Sequence, residues 1–126
     1  MSLSVRIEVI PHAGQRYNTV GDWYYRNPFA LQVRISSLGN EDYEFLIAVH
    51  EFIEAYLCRK HDIREADVDT FDMTWTGSGE PGAAPMAPYH KEHCFAEQVE
   101  VHLAAELGIN WDAYGKAIDD ILGKEL

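Results

Sequence analysis

Hydrophobic and polar positions alternate along residues 4–10, SVRIEVI, where Val5, Ile7 and Val9 take one side and Arg6 and Glu8 the other. The same period of two returns at 29–36, FALQVRIS, through Leu31, Val33 and Ile35. Both stretches predict half-buried strands. Between them GQRYNTVGDWYYRNP is broken by Gly14, Gly21 and Pro28, and Trp23–Tyr25 has the character of a short third strand. After the turn SLGNED the period lengthens. From about Asp42 to Lys60 there is no Gly or Pro, and Phe45, Val49, Phe52 and Tyr56 recur on one face with Leu46 and Ile53 beside them, which predicts a long helix. Residues 62–88 are polar and broken, with room for one helical turn at 66–72 and the densest Gly/Pro content at 77–88. A second long helix reads from about Tyr89 to a C-cap at Gly108, with Phe95, Val99, Leu103 and Leu107 on one face. Asn110 is a good N-cap for a final helix carrying Trp111, Tyr114, Ile118 and Leu122. The elements predict an α+β fold: a small antiparallel N-terminal sheet, two long helices and a C-terminal helix, in one domain spanning 1–126.

Composition narrows the class. A chain of 126 residues, 47% hydrophobic, can bury one modest core without a disulfide framework. The two cysteines, Cys58 and Cys94, the lack of a leader-like N-terminus and the lack of an apolar run of membrane length predict a soluble, cytoplasmic protein with no membrane partner. A net charge of -11, from 21 acidic against 10 basic side chains with no basic cluster, argues against nucleic acid as a partner.

The candidate chemistry lies in AVHEFIEAYLCRKH, residues 48–61, whose His50-Glu51-Phe52-Ile53-Glu54 is one residue away from the H-E-x-x-H signature of zinc hydrolases. Residues four apart stack on a helix, so His50 and Glu54 can converge on one cation, while Glu51 is left free to take a proton from water. A third ligand must come from elsewhere. The second long helix offers His93, with Glu97 and Glu100 on the same strip at i+4 and i+7. Choosing His93 yields two histidines and one glutamate, a donor set that suits zinc; recruiting Glu97 or Glu100 would shift preference towards iron or manganese. An H-E-x-x-E pentapeptide arises by chance about 0.05 times at this composition. His61 shares the face of His50 and Glu54 but lies nearly two turns beyond Glu54, and His12 and His102 read as loop and solvated residues. Cys58 and Cys94 read as small packed residues. Tyr89 and His90 are candidate donors to a developing oxyanion.

A strand, LQVRIS, followed by a helix bearing HEFIE resembles the compact zincin metallopeptidases over residues 29–61, with the later helix carrying His93. The whole chain is also similar to small uncharacterised bacterial and phage proteins with the H-E-x-x-E variant. The zincin resemblance implies His50 as ligand, Glu51 as general base, and a peptide or related carbonyl compound as the unidentified substrate. Glu54 stands where that family has its second histidine, so proteolysis does not carry over with the fold. Two other readings compete. Glu51/Glu54 and Glu97/Glu100 form paired E-x-x-E motifs like those holding magnesium in all-helical nucleotide pyrophosphohydrolases, against which stand the N-terminal strands and the missing basic cluster. Alternatively, the chain is a non-catalytic acidic interaction protein, related to phage proteins, that uses its Tyr- and Trp-rich segment 17–29.

Overall fold

The computed structural model describes residues 2–123. Three strands, β1 (Ser4–Ile10), β2 (Gly21–Asn27) and β3 (Ala30–Ser36), precede four helices, α1 (Glu41–Lys60), α2 (Glu65–Thr74), α3 (His90–Glu106) and α4 (Trp111–Leu122). The class is α+β, as the periodicity predicts. The sheet is mixed rather than antiparallel throughout: its order is β1-β3-β2, with β3 antiparallel to β2 and parallel to β1. The reason is connection length. β2 and β3 are joined by two residues, Pro28 and Phe29, and must lie side by side. Residues 11–20, which include a 3₁₀ turn at His12–Gly14, are long enough to leave room for β3 between β1 and β2. β3 thereby takes the centre, and its Leu31, Val33 and Ile35 are fully buried.

Helix α1 starts where its chemistry says it should. The Asn40 side chain accepts from the Tyr43 amide, acids fill the first turn, and Arg59 and Lys60 close the last, as the helix dipole prefers. Helix α2 runs for ten residues where the sequence suggested a single turn. No side chain caps its start; Val68 and Phe71 anchor it to the core instead. Asn110 caps α4 through the Ala113 amide, and Gly123, at φ 75°, ends it in the left-handed conformation that glycine adopts without strain.

The two long helices are turned the opposite way from the one their apolar stripes suggest. Phe45, Phe52 and Tyr56 are 47%, 36% and 43% exposed, while α1 buries Leu46, Ile47, His50, Glu51, Glu54, Ala55 and Cys58. On α3, Phe95 is exposed and Glu92, His93, Ala96, Glu100 and Ala104 are buried. Small residues at Ala55, Cys58, Ala96 and Ala104 let backbones approach closely. The buried acids and histidines neutralise one another, which offsets the cost of removing them from water.

At Gly21 the sheet comes close against α1. A Cβ there would lie 2.7 Å from Cγ and Oε1 of Glu51 and 2.8 Å from Cγ2 of Ile47. Gly21→Ala should therefore destabilise the protein by about 1–3 kcal/mol, the usual range for overpacking. A urea midpoint equal to that of wild type would show that α1 can retreat at no cost.

Candidate metal centre

Helices α1 and α3 pack antiparallel, so His50 meets Glu100 and Glu54 meets His93. Oε2 of Glu54 lies 3.1 Å from Nε2 of His50 and 3.1 Å from Nδ1 of His93. Ligand atoms about 2 Å from a tetrahedral ion are separated by roughly 3.3 Å, so these hydrogen-bond distances are also compatible with a shared ion. His50, Glu54 and His93, all buried, are close enough to hold a metal ion.

Each ligand candidate is itself held. Nδ1 of His50 donates to Oε1 of Glu100 at 2.7 Å, and the Tyr114 hydroxyl donates to the other Glu100 oxygen at 2.6 Å. With the proton on Nδ1 so assigned, Nε2 is the nitrogen that faces the site. The Trp23 indole donates to Oε1 of Glu54 at 3.0 Å, which turns Oε2 towards the histidines. Nε2 of His93 comes within 3.0 Å of Glu80 but is not aligned for a hydrogen bond, and it has no such partner among the described residues. The 3₁₀ turn Pro81–Ala83 lies flat on the His93 ring: a Cβ on Gly82 would be 2.5 Å from its Cγ and Nδ1.

Without a cation the cluster behaves as a buried ion-pair network. Burial pushes the Glu54 carboxyl up, but hydrogen bonds from His50 and His93 outweigh it and hold the group at about 2. Burial opposes charge on His93, yet the hydrogen bond to Glu54 and the nearby Glu80 carboxylate raise it to about 10. His50 is likewise raised well above its ordinary value, because Glu100 and Glu54 overcome the effect of burial. Glu51 goes the other way for a carboxylate. Burial, reinforced by the charge on Glu54, lifts it well above the usual range.

These groups open onto a cavity of about 360 Å³ walled by residues 17–23, by α2 and the segment after it, and by α4. Glu51 lines it and takes part in none of the hydrogen bonds above. Asp72 faces it from α2, accepting from the hydroxyls of Tyr17 and Tyr89, and burial raises its carboxyl to about 7. Arg16 ties Asp22 at 2.7 Å to Asp69 at 3.1 Å and so fastens the 11–20 segment to α2.

The remaining candidates are scattered. Glu100 stands behind His50, not beside Glu54. Glu97 is exposed and belongs to a second group with Glu80 and His93. His61 is exposed and pairs with Glu92 at 2.5 Å, and His12 bonds Ser36 and Asn18. The Tyr89 hydroxyl is engaged by Asp72, and His90 bonds the Gly82 carbonyl at 3.0 Å. The sequence did not point to Trp23, Tyr114, Glu80 or Asp72 as members of this site. The only prior signal was the polar tip on Trp23 and Tyr114, which a buried aromatic must satisfy. Comparison with protein-family models, curated proteins and solved structures gave no match.

Proposed function

We propose that the protein is a zinc-dependent hydrolase of zincin-like design, in which His50, Glu54 and His93 hold the metal and Glu51 is the general base. The observation that carries this reading is the position of Oε2 of Glu54, 3.1 Å from one nitrogen of each histidine. Two imidazoles and one carboxylate suit zinc, and the engagement of Glu100 with His50 and Tyr114 argues against a more carboxylate-rich iron or manganese site. Bound there, zinc would supply a Lewis acid and lower the pKa of water. Glu51 would take the proton of the attacking water and return it to the leaving group; burial and the charge on Glu54 raise its affinity for that proton. Trp23 and Glu100 orient the ligands and contact no substrate. The cavity is of a size for a short peptide segment or a comparable acyl compound. Asp22, Asp69, Asp72 and Glu80 on its walls would repel a triphosphate, and Arg16 is already bound to two of them, which disfavours the pyrophosphohydrolase reading.

The test is zinc titration of metal-stripped protein across pH, joined to a screen of peptide and ester substrates with and without chelator. A cation entering the site must displace protons from His93 and His50, whose pKa values are raised. Apparent affinity should therefore climb as pH rises, by about 100-fold from pH 6 to 8 for each proton displaced. A flat profile would place the bound zinc on other residues, and hydrolysis that survives chelation would end the metal-dependent reading.

A further inference from the structure

The buried side of α1 serves the cavity; its outer side is apolar as well. Phe45, Val49, Phe52, Ile53 and Tyr56 form an outward strip uninterrupted by charge, edged by half-buried Ala48, which packs on the core, with Glu41 and Asp42 at one end and Arg59 and Lys60 at the other. An exposed apolar strip of this extent normally marks an interaction surface. We propose that this strip is the contact between two copies of the chain, with α1 packed antiparallel on α1 of the second copy about a two-fold axis midway along the helix, between the levels of His50 and Glu51.

The strip is self-complementary about that midpoint. Phe45 of one copy falls opposite Tyr56 of the other and Val49 opposite Phe52, while Ile53 comes level with half-buried Ala48 at the strip's edge, where the small side chain leaves it room. The same operation brings Glu41 to Lys60 and Asp42 to Arg59. A two-fold contact requires this self-matching, because each residue must suit its counterpart in both directions. The end charges point to a second copy as the occupant. Two chains of net charge -11 repel overall, and the contact offsets this by keeping its centre free of charge and setting its acidic ends against basic ones. Glu41, Asp42 and Lys60 have no ion-pair partner within the chain among the described residues. Arg59 is partly spent, donating to the Pro28 carbonyl and lying 5.2 Å over the Tyr25 ring, so Lys60 carries most of the match.

The apolar surface extends beyond α1. Val5, Ile7 and Val9 pair in register with buried Leu31, Val33 and Ile35 and share their face of the sheet, yet they are 38–49% exposed because α1 sits over β2 and β3. With the α1 strip they leave on the order of 500 Å² of apolar side chain exposed per copy. That is at the upper end for a monomer's patch and approaches the ~800 Å² per partner of a standard interface. His50 and Glu54 lie on the opposite arc of α1, so pairing leaves both cavities open and does not depend on the metal.

Sedimentation equilibrium of the full chain, from micromolar to submillimolar concentration, should give twice the chain mass. Phe52→Glu should return it to a monomer. Lys60→Glu and Glu41→Lys should each weaken association by about tenfold or more through like-charge contacts at both ends, while an equimolar mixture of the two should associate as wild type does. Circular dichroism and zinc content report whether each variant folds; if Phe52→Glu does not, the two charge variants and their mixture still decide. A wild type that stays monomeric throughout overturns the proposal and leaves the strip to a different partner. A dimer that survives Phe52→Glu in a folded chain, or a mixture that fails to recover, overturns it too.

Discussion

Glu51→Gln is expected to lower turnover by about two to four orders of magnitude while zinc content stays at the wild-type level. The amide keeps the shape that fills the space against Gly21 and cannot accept a proton from water. The substitution also removes a buried carboxyl whose pKa is raised first by burial and then by the charge on Glu54. An acid shifted in that direction contributes stability below its ordinary value near 4.5, and that contribution is lost as pH rises through the folded-state value. Metal-free Glu51→Gln should therefore unfold at the same temperature as wild type, or higher, at alkaline pH. Kinetics on a substrate from the screen, plasma mass spectrometry and thermal melts give the three readings. Zinc lost together with turnover would make Glu51 a ligand; turnover retained would remove it from the mechanism.

The double substitution His50→Ala/Glu54→Ala should take zinc from about one per chain to none. It should also abolish the stabilisation that zinc confers on the wild type, about 4 kcal/mol when free zinc is a thousandfold above its dissociation constant. The pair is changed together because removing His50 alone leaves the Glu54 charge buried with one histidine fewer to balance it. Glu54→Gln serves as the milder companion: it can still accept from the Trp23 indole but no longer offers a carboxylate, and it should weaken zinc binding without unfolding the chain. Zinc that persists in the folded double variant would sit elsewhere, with the Glu80, His93 and Glu97 group the first place to look. The proposed centre would then be wrong.

Local patterns carried a good deal of this. Alternation located β1 and β3, the stop at Gly108 and the cap at Asn110 bounded the last two helices, and the i, i+4 spacing alone puts His50 and Glu54 on one face. Those features depend on neighbours within a turn or a strand, where backbone geometry leaves few options. His93 was a plausible third member, but Glu97 and Glu100 shared its strip, and sequence could not separate them. What separates them is how α1 and α3 are rotated about their axes, which sends Glu100 to the far nitrogen of His50 and leaves Glu97 in solvent.

The same rotation explains the largest departure from expectation. An apolar stripe is ordinarily the buried one, and on α1 and α3 it faces outward. Two apolar arcs compete on α1, and the one that won carries small residues and the acids and histidines that can neutralise each other only across the seam between the helices. That compensation comes from partners some 14 to 50 positions away, Trp23, His93, Glu100 and Tyr114, and has no signature within any window of the chain. By itself the sequence determined the elements and a pair of ligand candidates on one helix face, because both follow from short-range geometry. Tertiary structure alone decided which face is buried, which third residue joins the pair and which groups hold all three in place, because burying charge is tolerable only where distant partners meet it.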